Sequence, residues 1–526
     1  MASFELVPDD DLDDDHAPPP VAEPDDTVRR RVARRWRRLS RRSRLLIAGT
    51  TAMVVLGVTT AAVLPGALDA HDQRGRAAAV HGMPGVVGDL SDPVEAAWTW
   101  PDGTTVASVV DGDRLLVTSA DQLTAVDAQT GAPAWHHEFE GDVQCGPPPA
   151  SSEVDWRTPV DSTVCVHGGA ARTIVTVLDA DGDVVGEREL DVAGAVPADQ
   201  YTSVRRVQPA AGGAIAIVDA SPQITVAWKE GDDPQRVVDV LRRSGWSGPS
   251  LRIEDALTGE LRAQVTLELT ADLVEDCGRS EESGNVGIVP EFGIETTPSL
   301  TTFSLCGMAR AITPDGVVID VKSGQRAIEP RPGGGYVVHD AETSRVLDDR
   351  GEVEQTLPGW VSPLIVDAAR TGPPLTLLPA TDGASTLAAI GNDGDTLWTS
   401  PGATGTGTLA RVGDTIVVVD ASGTEVVGLD ATTGRQEWSV PGLVEYSRES
   451  AEHGTFVAGV ATDGTRLLLA ISPTSWTEEE RPIRLVALDL RDGSIAWDDD
   501  PAENLWSLHS VGGHLIATGN SLVGLN

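Results

Sequence analysis

The stretch GLDATTGRQEWSVPG, from Gly428 to Gly442, carries Asp430, then Thr433-Gly434, then Trp438 four residues after the glycine. The same arrangement returns in AVDAQTGAPAWHHEF as Asp127, Thr130-Gly131 and Trp135. It returns again in ALDLRDGSIAWDDDP as Asp489, Asp492-Gly493 and Trp497. Aromatic residues make up 4% of the chain, so three copies of one Trp-bearing pattern mark an internal repeat. Such repeats decide the architecture before any other feature does.

Each copy reads as a β-hairpin. Asp and Thr side chains hydrogen-bond the backbone of a tight turn, and Gly supplies a positive φ. The runs on either side, such as Glu425 to Leu429 before the Gly434 turn, are strand-like. The Trp falls just past the turn, where a large flat side chain can wedge against a neighbouring sheet. Further strand-like runs upstream, TIVVVDA and RLLLAIS, make a four-stranded unit of each repeat.

Weaker copies extend the series. AAIGNDGDTLWTSPG keeps Gly394 and Trp398, and VLDADGDVVGERE keeps Asp179 and Gly182 with Gly186 at the Trp position. IEDALTGELRAQV keeps Asp255, Thr258 and Gly259 with Ala263 in place of Trp, and fainter hairpins turn at Gly316 and Gly351. The last copy, SLVGLN, stops with Asn526 at the Asp position. Its missing strand is expected in EAAWTWPDG, where Trp98 and Pro101 keep the spacing of Trp438 and Pro441. A chain whose two ends complete one repeat is a closed ring of sheets.

The pattern resembles the Trp-docking repeat of the PQQ-like propeller superfamily, which includes quinoprotein dehydrogenases and the propeller scaffold of outer-membrane protein assembly, here in a membrane-anchored bacterial type. The resemblance spans about Trp98 to Asn526. It implies an all-β fold, a PQQ-like β-propeller of about eight four-stranded blades closed by N- and C-terminal strands. The hairpins at Gly316 and Gly351 leave seven and nine blades open. On this reading Trp98, Trp135, Trp398, Trp438 and Trp497 dock blade on blade, and Gly131, Gly259, Gly394, Gly434 and Gly493 are structural turns. Enzymes of the family often stack an adjacent Cys-Cys pair on the quinone and hold calcium with acidic and amide side chains. No two cysteines adjoin here, so neither PQQ nor calcium is expected.

The N-terminal region has a different character. Residues 1–28 carry ten acids before the first arginine and read as a disordered cytoplasmic tail. Residues 29–44 are Arg-rich, and residues 45–68 contain no charge, long enough for the ~20 residues a membrane-crossing helix needs. Arginines ahead of the apolar run place the N-terminus in the cytoplasm. A cleaved signal peptide is the rival, but PGALDA offers only a weak cleavage site, so a signal anchor is expected. Residues 69–92 read as a stalk and 93–526 as an extracytoplasmic propeller at the cell membrane.

The cysteines fit an oxidising compartment. Cys145 and Cys165 lie close in sequence, as do Cys277 and Cys306, and local pairing is the simplest of three connectivities. The ten arginines of 29–44 leave 29 of the 39 bases, against 70 of the 80 acids, for the rest of the chain. So acidic a surface repels phosphates, and no nucleic-acid partner is expected. The expected partners are the lipid bilayer and other cell-envelope proteins.

Catalytic motifs are weak throughout. GTGTLA at 405–410 precedes a strand pattern rather than the helix a dinucleotide site needs. DADGD at 179–183 has Val184 and Leu190 where a calcium loop requires Gly and Glu. His136 and His137 point to opposite faces of a strand, and the HGG at His167 has no nucleophile elbow to serve. No catalytic, cofactor-binding or metal residue is assigned. Trp156, Trp228, Trp246, Trp360, Trp476 and Trp506 fall outside the repeats, as peripheral packing or an aromatic rim for a ligand. The sequence thus points to a non-catalytic binding or scaffold module. The alternatives are a quinoprotein-type dehydrogenase or other propeller enzyme, and an extracellular sensor.

The orientation is directly checkable. A reporter that works only outside the cytoplasm should be active after Asn526 and silent before Arg29; the opposite pattern overturns the topology.

Overall fold

The hairpin between strands Glu425–Asp430 and Gln436–Pro441 is built as its residues dictate. Asp430 Oδ1 accepts from the Thr432 amide, the Thr433 amide and the Thr433 hydroxyl at 3.1, 2.7 and 2.7 Å. The Gly434 amide donates to the Asp430 carbonyl, at a φ of +66° that only glycine adopts without strain. Asp127 with Thr130, and Asp255 with Thr258, repeat these bonds. Bonds from the Thr130 and Thr433 hydroxyls hold Asp127 and Asp430 below the usual carboxylate range. Burial pushes Asp255 up, but Thr258 and Arg262 together outweigh it and bring the carboxyl down to about 2.

The computed structural model describes residues 75–526 apart from connecting stretches, the longest being 191–204, 272–285, 446–453 and 475–482. The expected tail, Arg-rich segment and membrane helix at 1–68 lie outside the described residues, as do Cys277, Cys306, Trp246 and Trp476. Among the described residues no helix is long and apolar enough to cross a membrane.

Four-stranded antiparallel sheets follow one another along the chain. Blade 1 runs from Thr105–Val110 to Pro133–Glu138, blade 2 from Val143–Gly146 to Val184–Leu190, and blade 3 from Arg205–Ala210 to Leu261–Thr266. Blades 4, 5 and 6 begin at Phe292–Thr296, Ala327–Pro330 and Trp360–Val361, and end at Val318–Val321, Val353–Pro358 and Thr396–Ser400. Blade 7 runs from Thr408–Val412 to Gln436–Pro441 and blade 8 from Thr455–Thr462 to Ile495–Asp499. Blade 9 holds Leu505–Val511, His514–Gly519 and Leu522–Leu525, and takes its outer strand, Ala96–Trp100, from the other end of the chain.

The propeller therefore has nine blades among the described residues, not eight. The faint hairpins at Gly316 and Gly351 are each a full blade, and the shared terminal sheet adds the ninth. Apolar residues from facing sheets meet between blades, as Leu375, Leu387 and Trp398 of blade 6 meet Ile416, Val427 and Leu429 of blade 7. First strands lie side by side around the axis and fourth strands lie outermost. By this meander, the turns joining strands one and two and strands three and four all open on one face.

The Trp residues bind the ring together. Trp398, on blade 6, lies on Gly434 of blade 7 and donates its indole N–H to the Ala431 carbonyl at 3.0 Å. A Cβ on Gly434 would come within 2.3 Å of that indole. Trp438 meets Gly493 and the Leu490 carbonyl, Trp98 meets Gly131 and Ala128, and Trp135 meets Gly182 and Ala180. Where blades 2 to 5 lack the Trp, other side chains reach the next turn. Arg188 lies over Gly259, Arg262 donates to the Pro314 carbonyl, Ile319 packs on Gly351, and Gln355 donates to the Gly391 carbonyl. Gly394 itself turns at φ +86° with open space around it.

Blade 4 escapes the spacing for a geometric reason. Pairing between the third and fourth strands shifts register in every other blade, and in blade 4 it does not. Without that extra bulged residue, the docking side chain falls three positions after Gly316, at Ile319, rather than four.

Residues 75–94 are not a free stalk. Val80, Val86, Val87, Leu90 and Val94 are buried, and Val87 donates its amide to the Thr462 carbonyl of blade 8 at 2.8 Å. Trp497 donates its indole N–H to the Leu90 carbonyl at 2.8 Å. Blade 9 has no turn between its last two strands because the chain ends lie there, and Leu90 stands in for it. The helix Pro234–Arg243, inside blade 3, buries Val237, Val238 and Leu241 against blades 3 and 4, and a two-stranded sheet pairs Val226–Trp228 with Val286–Ile288.

Trp438→Ala should destabilise the propeller by about 3–5 kcal/mol, the loss of a buried indole plus its cavity. Leu397→Ala, on an outer strand and 59% exposed, should shift stability by no more than about 0.5 kcal/mol. Denaturant melts that move equally for both would remove the docking role.

Candidate functional site

The centre of the ring is filled by the chain itself. The link between the first two strands of blade 2 has residues 150–152 outside the described residues, and brings residues 153–161 to the axis, starting with the short helix Glu153–Trp156. Their contacts reach blades all around the ring, which only a segment on the axis can do. The Trp156 ring stacks on His509 of blade 9 with centroids 4.0 Å apart and planes 8° apart. Arg157 donates from Nε to Ser510 Oγ of blade 9 at 3.3 Å and from Nη1 to the Ile365 carbonyl at 3.0 Å. Ile365 leads into Val366–Asp367, a two-residue strand added in parallel to the inner edge of blade 7. The Val160 amide donates to the Val109 carbonyl of blade 1 at 2.9 Å.

Asp155 supplies the contact to blade 4. It is 1% exposed, and burial pushes its carboxyl up against hydrogen bonds from Ser299 and Thr297 that pull it down. Its Oδ1 has no hydrogen-bond partner. An ionised carboxylate in such a place opposes folding.

Beside this axial segment lies a cavity of about 340 Å³, opening on the face that bears the Asp-Gly turns. Val154, Arg157 and Thr158 form its inner wall, with Pro298, Ser299 and Pro314 of blade 4 and Pro330, Arg331, Tyr336 and Asp349 of blade 5 opposite. Its walls are mainly apolar and stiff. The Tyr336 hydroxyl donates to the Ser299 carbonyl at 3.2 Å, and burial, with Asp349 and Asp315 nearby, pushes it up to about 12. Arg331 pairs with Glu354 at 3.0 Å, and Asp349 accepts from the Gly335 amide at 2.6 Å. The polar groups around the cavity thus hold its walls in place.

The five docking Trp residues lie between blades, away from this cavity. Cys145 and Cys165 face each other across the first two strands of blade 2 and form a disulfide. Trp156 and Trp360 depart from the peripheral reading. Trp156 is buried on the axis, and Trp360 forms part of the first strand of blade 6, stacked on His339 of blade 5 at 3.9 Å. Trp506 is half exposed at the start of the first strand of blade 9. Asp179 Oδ1 accepts from the amides of Asp181 and Asp183, so that cluster serves its turn. His167 is buried with Nε2 3.0 Å from Thr176 Oγ1, and burial lowers its pKa. Among the described residues no three His, Cys, Asp or Glu side chains gather to hold a metal.

Nothing in the sequence singled out Asp155, Arg157 or the cavity. One signal was available: twenty positions separate Cys145 from Cys165, far more than a hairpin turn requires.

With this architecture in view, the chain is a nine-bladed β-propeller among its described residues, and the PQQ-like repeat is matched in its C-terminal blades. Residues 376–523, from blade 6 to blade 9, match the family model described as outer membrane protein assembly factor BamB. No curated protein matches the sequence. Among solved structures, BamB from Moraxella catarrhalis is 11% identical, covering 82% of this chain and 100% of that one, with a TM-score of 0.33. The quinohemoprotein alcohol dehydrogenase from Comamonas testosteroni is 12% identical, covering 82% and 76%, with a TM-score of 0.32. Sqt1 from Saccharomyces cerevisiae is 9% identical, covering 82% and 99%, with a TM-score of 0.34. Likeness at that level carries no argument about function.

Asp155→Asn tests the axial segment by pH. A carboxyl raised in the folded state costs stability above its folded pKa and nothing below its unfolded value. The variant should melt higher than the parent at pH 7, and the gain should vanish below about pH 4, near the ordinary Asp value. A variant that melts lower at pH 7 would show that the charged form is needed to hold Ser299 and Thr297.

Proposed function

We propose that the chain is a single-pass membrane protein whose propeller lies outside the cytoplasm and acts as a non-catalytic binding or scaffold module for other cell-envelope proteins. One observation carries this reading: the axis of the ring, the deepest recess a propeller offers, is occupied by residues 153–161, with Trp156 stacked on His509 and Arg157 bonded on two sides. The neighbouring cavity is open. Its volume is at the lower end of ligand sites, and its Pro and Tyr walls suit an apolar side chain on an extended partner segment. An acidic chain, with a net charge of −41, favours a partner that is basic around that side chain. The envelope-assembly description of the matching family is in keeping with such a partner.

Two measurements separate this from quinoprotein chemistry. Purified full-length chain mixed with PQQ and calcium should show neither a bound-quinone spectrum nor dye-linked alcohol oxidation. A photo-crosslinking residue at Arg331, on the cavity rim, should yield a discrete envelope-protein adduct in cells. The same residue at Asp492, on the blade 8 turn, should not. Tight quinone binding, or equal labelling at both positions, would overturn the proposal.

A further inference from the structure

We propose that the Cys145–Cys165 disulfide is a redox-sensitive latch on the axial segment, so that its reduction releases residues 153–161 and opens the cavity from its inner wall. The role in ligand entry rests on the reading of that cavity as the binding site; the latch itself does not.

The placement of the bond carries the inference. Cys145 pairs directly with Cys165 across the first two strands of blade 2, and the segment between them is the axial one. Strand Val143–Gly146 has four residues and only one neighbour in its sheet, Ser162–Gly169. It is an inner edge strand, paired by one short ladder that the disulfide reinforces, and packed beside the inner strands of blades 1 and 3. Ser162–Gly169 also pairs with Arg172–Asp179, so blade 2 keeps three strands when the first one leaves. The contacts that hold the segment on the axis go to other blades: His509 and Ser510 of blade 9, Val109 of blade 1, and the Ile365 carbonyl. Its packing on blade 2 runs through Val160, which lies against the cluster that holds Cys145 and Cys165. Without the bond, strand and segment can leave as a unit, and the loop-closing constraint that favours the docked form is gone.

The same geometry governs access to the sulfurs. Cys165 is 0% and Cys145 5% exposed, within a cluster that Val160 of the axial segment helps to cover. A reductant reaches the bond only when the segment lifts, so the rate of reduction reports how often it does. The chemistry is thiol–disulfide exchange with a dithiol. One thiolate attacks a cysteine sulfur and forms a mixed disulfide, and the second thiol closes a cyclic disulfide. Two electrons pass to the cysteines, which leave as two thiols.

The test follows hydrogen exchange in the purified full-length chain, comparing the parent with Cys145→Ser/Cys165→Ser, which isolates this bond from Cys277 and Cys306. Exchange across 153–161 should rise about tenfold or more, while the inner strands of blades 6 to 8 keep their protection. Unchanged exchange at 153–161, or loss of protection in every blade together, overturns the latch. If the double variant does not fold, Arg157→Ala in the oxidised chain provides the second arm. Dithiothreitol should reduce Cys145–Cys165 several-fold faster in that variant, as read by alkylation and peptide mapping; an equal rate overturns the gating. Neither arm uses a ligand, so a latch that works alongside a rim crosslink that fails would reject only the binding reading of the cavity.

Discussion

An indole laid flat on the next blade's turn, with its N–H on that turn's carbonyl, is the contact on which the ring depends. It combines two things that other side chains supply separately. The flat ring covers the backbone of a glycine that has no Cβ to hold it off, and the N–H satisfies a carbonyl that the covering would otherwise strand. Arg188, Arg262 and Gln355 keep a donor without the flat apolar area, and Ile319 keeps area without a donor. The Trp contacts are not scattered. They start from blades 6, 7, 8, 9 and 1 in succession, and blades 2 to 5 have none. The ring therefore has an arc of uniform joints and an arc of improvised ones.

What departs from the plain propeller belongs to the improvised arc. Blade 2 sends residues 153–161 to the axis, blade 3 carries the helix Pro234–Arg243, and blades 4 and 5 form the outer wall of the cavity. Uniform joints constrain sequence: a turn must keep its glycine and the preceding blade its Trp. Joints made by Arg, Ile or Gln accept more variation in turn length and register, as the missing bulge of blade 4 shows. The family model spans 376–523, which falls within the Trp arc. Recognition thus follows the repeated joint, and the cavity lies where that joint is absent.

The same division governs what the sequence disclosed. The Asp430 turn, the Trp438 joint and the pairing of Ala96–Trp100 with Leu522–Leu525 were legible because each depends on local chemistry repeated at fixed spacing. The count of nine was not, because Gly316 and Gly351 mark turns whose partners lack Trp, and a hairpin alone does not announce a blade. The axial segment was illegible for a different reason. Trp156, Arg157 and Asp155 matter through His509, Ile365 and Ser299, partners more than a hundred positions away that no periodicity connects. The packing of residues 75–92 was illegible for the same cause, since Leu90 acquires its role from Trp497 and Asp463, far along the chain.

That last pair shows how closure is achieved when a repeat is cut. Splitting blade 9 between the chain ends pairs Ala96–Trp100 with Leu522–Leu525, and the amides of Glu95 and Asn526 exchange carbonyls at 2.9 and 3.0 Å. It also removes the turn on which blade 8 would dock, and Trp497 would face an empty space. The chain resolves this by passing residues 86–94 over blades 8 and 9 before the first strand begins. The Leu90 amide is fixed by Asp463 Oδ2 at 3.1 Å while its carbonyl receives the indole. Asp463 in turn accepts from the amides of Thr465 and Arg466, so the substitute turn rests on blade 8 itself rather than on blade 9. Blade 8 thus supports both sides of its own outgoing joint. The ring is closed twice, once by strand pairing and once by this borrowed carbonyl, and both closures draw on the dozen residues from 89 to 100.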